Sequence, residues 1–458
     1  MKKIIYIFFY NFIFINILLS CNLNENESNS LQKKEKIAPK NIPLLVVTGF
    51  GSELENISLS ELKQKYCEGK IYVLQSIKKE IDTLWQCSNL KTIQKLQDFV
   101  PFAKNNLLLT NIDNTIAQFK ALKIDEISFF DDSEKYPLTN PYTKSPPFEY
   151  KKNVTHFVLT GVTAITRNQG LIADTAKPNF LIENLLPHVK NADLLHISNE
   201  VSIDDNCVYK SYDPLYKFCV KEKHLRDILT LGADIVELTG NHNLDYGVNA
   251  YKKTAEWYKK NNLKTFGGGV SPEEANKPLV IILKDSTKLG FIGFNESCPN
   301  GECADVSVGA NRYQKEKARK VIATMRKELK VDFIIVGTQF DEVDAYTPSA
   351  SQTKIAYDLL DFGADMVYGS QAHQIQQIEF KTGKPIFHGL GNFLFDQVHR
   401  IGVRQAYFLH HYFYKGKLIQ SIPVYTFIAM NRQPTIANKE QTEQMKKLVL
   451  IDKLLYKW

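Results

Sequence analysis

A chain of 458 residues is too long for one ordinary hydrophobic core and predicts two or three domains. Its 44% hydrophobic and 23% charged residues are ordinary globular usage, which excludes a disordered or low-complexity protein. The net charge of +7 is spread along the chain, without the aromatic-interleaved basic stripe of a nucleic-acid binder, so no nucleic-acid partner is expected.

At the start, Lys2-Lys3 precede an apolar run from Ile4 to Leu19. Asn11 and Asn16 interrupt it, and it is too short for a comfortable membrane span. It reads as the apolar stretch of a secretory signal. The run closes on Leu18-Leu19-Ser20-Cys21, ahead of the polar Asn22–Ser28. This ending resembles a bacterial lipobox. The resemblance implies a signal peptide over 1–20, a lipidated Cys21, a polar tether over 21–40 and a protein exported to the cell envelope and anchored in its membrane. The alternative is an ordinary signal peptide with an incidental cysteine.

An exported chain meets an oxidising compartment, and six cysteines remain after Cys21. They fall as three sequence-local couples. Neighbour pairing is the simplest expectation: Cys67–Cys87, Cys207–Cys219 and Cys298–Cys303. The two-residue spacings of a zinc site are absent.

Residues 41–148 read as a smaller N-terminal α/β domain. It opens on the buried-strand pattern Pro43–Thr48, followed by Ser58 and Glu61 at capping-box spacing. It closes on the Pro-rich break Pro141–Pro147. It weakly resembles part of a periplasmic solute-binding domain, and a spacer domain is an equal reading. From Val154 the pattern becomes strand, loop, helix. Strands are predicted at 155–160, 193–198, 234–238, 290–294, 332–337 and 365–368, with helices over 248–260 and 317–329 between them. Further strands follow at 375–380, 385–387, 405–413 and 417–427. Alternating strands and helices place residues 149–458 in the α/β class.

The chemistry sits at strand ends. Thr160–Ala164, Ser198-Asn199-Glu200, Gly240-Asn241-His242, Gly337–Glu342 and Gly369–His373 each follow a strand. In open α/β sheets the carboxyl ends of strands carry the ligand, so these loops are expected on one rim. Glu200, Asn241 and His373 make a mixed oxygen and nitrogen set that could hold a divalent metal. Each piece alone also reads as turn chemistry or a satisfied imidazole. Arg167, near the first loop, could pair with a substrate carboxylate or phosphate. Gly267-Gly268-Gly269 lacks phosphate-loop spacing and reads as a turn.

The order of these motifs resembles the CapA-like proteins, the poly-γ-glutamate capsule-synthesis group related to calcineurin-like metallophosphatases. Gly383-Lys384-Pro385-Ile386 through Gly391-Asn392-Phe393-Leu394-Phe395-Asp396-Gln397 is similar to the run that closes the family's core. Gly240-Asn241-His242 with Asp245-Tyr246-Gly247 is similar to its Asn-Asn-His and Asp-Tyr-Gly motif. The resemblance implies a metallophosphatase-like layered α/β sandwich. It also implies one divalent metal held by Glu200, Asn241 and His373, and His242 as general acid. The chain departs from the family at Val162, where an Asp is usual, at Gln339-Phe340-Asp341, where His-Trp-Gly is usual, and at Ser370-Gln371, where histidines are usual. Gln339 and Gln371 suit hydrogen bonding to amide or sugar groups of a substrate.

Two functions follow. One is a lipid-anchored, metal-dependent hydrolase or transferase acting on an envelope polymer. The other is a non-catalytic module on the same fold that binds that polymer or a small polar ligand, or serves as an envelope scaffold.

Overall fold

The structure is a computed structural model that describes residues 42–142, 148–299 and 301–456. The signal, Cys21 and the tether lie outside the described residues, as does Ser145-Pro146-Pro147 of the Pro-rich break.

The N-terminal strand Ile42–Gly49 is buried along its whole length, as its run of apolar residues predicts. It is a central strand of a six-stranded sheet, antiparallel to Leu108–Asn111 on one side and to Phe119–Ala121 on the other. The helix Leu59–Cys67 starts where the capping spacing places it, with the Ser58 hydroxyl accepting from the Glu61 N–H. Tyr412, Tyr414 and Ile419, from the far end of the chain, complete the core of this sheet. Pro39–Trp458 form one compact unit.

Two further sheets follow and face each other. The first runs Lys264–Phe266, Ile235–Glu237, Leu194–Asn199, Thr155–Leu159, Gln405–Tyr414, Lys417–Ile428 and Pro434–Ile436, parallel up to Thr155–Leu159 and antiparallel beyond it. The second runs Leu279–Ile282, Lys288–Asn295, Phe333–Gln339, Met366–Ser370, Lys384–Phe387 and Ile378–Lys381, with parallel central strands and antiparallel edges. Side chains alternate along each strand and so divide between two cores. Phe157, Leu159 and Ile235 meet Phe291, Ile335, Met366 and Phe387 between the sheets. Val158, Leu195, Ile197 and Val236 instead face the helices Glu222–Leu231 and Gly247–Lys260. Ile334, Val336 and Val367 face Lys315–Lys327 and Ala350–Asp361 on the opposite outer side. The result is a layered α/β sandwich, helix on sheet on sheet on helix.

Four expected strand starts move by one residue, for one reason. Asp193, Asp234, Asp332 and Asp365 precede their strands, and each carboxylate accepts a backbone N–H: from His156, Leu195, Lys288 and Ile334 respectively, at 2.9, 2.9, 2.7 and 2.8 Å. They pin the amino ends of the ladders while the carboxyl ends carry the polar loops.

All three local cysteine pairs are disulfides, with Cα separations of 5.5 Å for Cys67–Cys87, 5.8 Å for Cys207–Cys219 and 5.6 Å for Cys298–Cys303. These lie within the span a disulfide bridges. No helix among the described residues is long and apolar enough to cross a membrane.

Candidate functional site

The parallel strands deliver their polar loops to one rim. Val162–Thr163 pairs with Ser198–Asn199 on one side and with Asn392–Leu394 on the other. The Glu200 N–H donates to the Thr163 carbonyl at 3.0 Å. The Asn241 loop lies against the Glu200 loop because residue 240 has no side chain. A Cβ there would stand 2.5 Å from the Asn199 carbonyl oxygen and 2.8 Å from the Glu200 Cα. Asn243 locks the approach, donating to the Asn199 and Gly240 carbonyls while its Oδ1 accepts from Asn199 Nδ2 at 2.8 Å.

From the facing sheet come Gln339 and Gln371. The Gln339 Nε2 lies 3.4 and 3.5 Å from the two Glu200 carboxylate oxygens and 3.5 Å from Asn241 Oδ1, and it also donates to Gln371 Oε1. One amide therefore sits among oxygens drawn from three other loops. Ser198 and Ser370 bring their hydroxyls to 3.4 Å across the same gap. Glu200 is wholly buried, and burial pushes its carboxyl up to about 7, against the opposing pull of the His242 charge and the Gln339 hydrogen bond. It changes charge near neutrality. Glu342, exposed in the loop after Gln339, is also raised, by partial desolvation first and then by the charge of Asp344.

His242 is set up as a proton donor. Its Nδ1–H donates to Asp245 Oδ2 at 2.7 Å, and the same oxygen accepts from the Phe218 N–H at 2.7 Å. Burial works against the imidazolium. The Asp245 hydrogen bond and charge, followed by the charge of Glu200, outweigh it and hold the ring above its ordinary value. With Nδ1 committed, Nε2–H is the remaining donor.

His373 is the opposite case. Asn392 Nδ2 donates to Gln397 Oε1 and the Val403 carbonyl, so Asn392 Oδ1 is an acceptor and His373 Nδ1 must donate to it, at 2.9 Å. Nε2 then carries a lone pair. Burial drives this ring down to about 4, only partly offset by the Asn392 hydrogen bond, and it stays neutral.

Arg167 joins the two histidines. Asp396 Oδ1 accepts from its Nε at 2.8 Å and from its Nη2, while Asp396 Oδ2 accepts from the backbone and side chain of Asn168. The guanidinium lies 4.8 Å from the ring centres of both Phe218 and Phe395. Phe218 in turn lies 4.4 Å from His242, and Phe395 lies 5.2 Å from His373. A stack of imidazole, phenyl, guanidinium, phenyl and imidazole thus forms one wall. Arg167, Gln371 and His373 all have φ in the left-handed region, at 45°, 71° and 52°, a local strain of about 1 kcal/mol or more each that the surrounding packing holds in place.

The structure thus gathers Glu200, Asn241, Gln339 and Gln371 about one point, with His242 within electrostatic reach of Glu200. It holds His373 at Asn392 and commits two guanidinium nitrogens of Arg167 to Asp396. Asp245, Phe218, Phe395 and Asn392 complete the site without having been assigned roles from sequence. Asp245, three residues after His242, left a signal, as did Asn392 and Phe395 inside the run that closes the family's core, whereas Phe218 left none.

For a metal, the donor set decides. Among the described residues no three His, Cys, Asp or Glu side chains gather so as to hold an ion, which excludes a histidine- and aspartate-rich two-metal centre from them. The Glu200 carboxylate, Asn241 Oδ1 and Gln371 Oε1 do converge, and Gln339 Oε1 and Thr163 Oγ1 are buried without partners. Turning the Gln339 amide over would add a further oxygen, an all-oxygen set that fits one hard cation.

The family model for the bacterial capsule synthesis protein PGA_cap matches residues 156–397. Among curated proteins, the chain is 25% identical over 224 residues to the capsule biosynthesis protein CapA of Bacillus anthracis, covering 48% of this chain and 54% of that one. It is 28% identical over 195 residues to the PGA biosynthesis protein CapA of Bacillus subtilis (strain 168), covering 41% and 51%. The chain spans about half the length of the curated relatives it matches. Among solved structures, a putative 5'-nucleotidase from Staphylococcus aureus in complex with alpha-ketoglutarate aligns at a TM-score of 0.40 and 13% identity, over 64% of this chain and 58% of that one. A likeness that distant carries neither substrate nor mechanism across.

Proposed function

The chain belongs to the bacterial capsule synthesis protein PGA_cap family, and from that premise we propose that it is an exported protein, lipid-anchored at Cys21, that hydrolyses or transfers linkages of a capsule-type polymer of the poly-γ-glutamate kind. The names of the matching relatives, capsule biosynthesis and PGA biosynthesis proteins, support the polymer class. The observation that carries the chemistry is the His242–Asp245 pair at 2.7 Å beside a Glu200 carboxyl that titrates near 7. An imidazole whose protonated form Asp245 favours and a carboxyl near neutrality form an acid–base pair suited to cleaving or remaking an amide or ester bond at neutral pH.

In this reading His242 Nε2–H protonates the departing atom of the linkage, and Asp245 favours the charged ring and orients it. Glu200 takes the proton of the water, or of the acceptor amine or hydroxyl, that bonds to the carbonyl carbon as the bond to the departing atom breaks. Asn241, Gln339 and Gln371 hold the linkage through amide hydrogen bonds. His373 Nε2, the free lone pair, accepts from substrate at the other end of the aromatic wall. One hard divalent cation, held by Glu200, Asn241 and Gln371, would polarise the scissile group in place of the Glu200 proton transfer, since a ligating carboxylate stays ionised.

A second reading has its own support: the amides Gln339 and Gln371 stand where charged or imidazole ligands are usual in the resembling family, which suits a module that binds the polymer without cleaving it. Metal analysis and turnover of a poly-glutamate chain by the purified protein separate the two. The enzyme reading expects bound metal that Asn241→Ala loses, and turnover that His242→Gln loses while retaining the metal. Polymer binding without turnover in the wild type, at unchanged strength in His242→Gln, contradicts it.

A further inference from the structure

The largely apolar core between the two facing sheets carries a hydrogen-bonded network just below the rim. Glu237 and His196, from the first sheet, and Tyr368, from the second, are wholly buried there, and so is Thr239. The Tyr368 hydroxyl donates to Glu237 Oε2 at 2.8 Å. With its one proton on the carboxylate, Tyr368 Oη accepts from His196 Nε2–H at 3.0 Å. Glu237 Oε1 accepts from the Thr239 hydroxyl at 2.8 Å. The Thr239 carbonyl accepts from Asn295 Nδ2, at the end of strand Lys288–Asn295, at 2.9 Å. Bonds from Tyr368 and Asn295 of the second sheet therefore hold Glu237, His196 and Thr239 of the first.

The chain leaves out side chains to admit this network. A Cβ at Gly337 would stand 2.5 Å from both Glu237 Oε1 and Tyr368 Oη, and one at Gly267 or Gly293 would stand 2.7 Å from Thr239 Cγ2. Gly267, read from sequence as part of a turn, thus makes room below the site. Apolar packing presses two sheets together without favouring one alignment over another. Buried polar groups do favour one, because each lost bond leaves a desolvated donor or acceptor. The same segments continue into the rim. Thr239 leads to Asn241 and Tyr368 leads to Gln371, while Asn295 lies in register with Gln339, whose carbonyl accepts from the Glu296 N–H at 3.0 Å.

We propose that Glu237, Thr239, Tyr368 and Asn295 are positioning residues, a clamp across the two sheets that sets where the Gln339 amide meets Glu200 and Asn241. They act through that meeting point and not on substrate. The Gln339 Nε2 stands 3.4 and 3.5 Å from the Glu200 oxygens and 3.5 Å from Asn241 Oδ1. A small slide of one sheet along the other would open these contacts beyond hydrogen-bond range. The clamp exists by virtue of its bonds alone, and its use in catalysis rests on the acid–base reading of the rim.

The test follows the Gln339 side-chain amide by NMR in the full chain labelled with ¹⁵N-glutamine, its signal assigned by its loss in Gln339→Met. Tyr368→Phe keeps the ring and removes the bond to Glu237. It should speed exchange of that amide with solvent by about tenfold, the size of coupling within one hydrogen-bond network. Thr239→Val, which loses only the hydroxyl's bond to Glu237, should speed it in the same direction. Phe291→Leu, which opens a cavity in the same core, is the control: it lowers stability to urea and leaves the amide as in the wild type. If Tyr368→Phe and Thr239→Val lower stability and leave the Gln339 amide unchanged, the network is only part of the core and the proposal fails. It fails equally if Phe291→Leu speeds the exchange as much. Turnover of poly-glutamate is read in parallel. A wild-type chain that binds the polymer without turning it over overturns the acid–base reading and not the clamp, which the amide exchange still decides.

Discussion

The two facing sheets end on one rim but bring opposite chemistry to it. The sheet carrying Leu194–Asn199 and Ile235–Glu237 supplies Glu200, Asn241 and His242, with Asp245 behind the imidazole. The sheet carrying Phe333–Gln339 and Met366–Ser370 supplies Gln339, Gln371 and a neutral His373. In the proposed mechanism one half moves protons, and the other holds groups by hydrogen bonds without changing charge. A shared rim therefore does not imply a shared role. Gln339 reaches Glu200 through an amide, which carries no charge.

The ionisable half should break first. His242→Gln keeps a donor of similar reach but removes the transferable proton, and should lower turnover by about 10²–10⁴-fold, the usual worth of a positioned acid. Steady-state kinetics on the polymer checks this, and an equal loss in Gln371→Ala would erase the distinction between the halves.

Between them stands the Arg167 wall. Arg167→Ala would leave the buried Asp396 carboxylate with only Asn168 as partner, and should cost about 3 kcal/mol of folding stability. Urea unfolding measures it. A loss well under 1 kcal/mol would make the stack an ornament of the surface rather than a support for both histidines.

The smallest effect belongs to the neutral half. Gln339→Met keeps the volume and removes the amide that helps Glu200 stay charged, a change of about 0.5–1 kcal/mol. The Glu200 titration should move upward from about 7, so its carboxylate form, and any step that needs it, appears only at higher pH. Infrared titration of the carboxyl band follows this directly, and a downward move would contradict the placement of the amide.

Much of this was legible in sequence, for definite reasons. Two-residue alternation in Phe157-Val158-Leu159 divides side chains between two cores, so the strands could be read as strands. Residues just past strand ends must reach the rim, so Glu200, Asn241, Gln339 and Gln371 could be named together. Local cysteine spacing needed no tertiary knowledge. What stayed hidden depends on long-range partners. Asp396 and Phe395 lie in the run that closes the family's core, but that Asp396 pairs with Arg167, 229 residues away, and that Phe218 joins them is not encoded locally. Likewise, nothing near Ile42 announces that Tyr412 and Tyr414 finish its core. The aspartates before the strands read as first strand residues because their hydrogen bonds go to neighbouring chains, which no local pattern encodes.

The central claim is that Asp245 holds the His242 titration above its ordinary value, beside Glu200. A ¹⁵N NMR titration of the His242 ring, in the wild type and in Asp245→Asn, tests it most directly. The account predicts a titration above the ordinary 6.5 in the wild type that falls in Asp245→Asn, because the neutral amide no longer favours the imidazolium. A ring that titrates at or below 6.5 and does not move in the variant would contradict it.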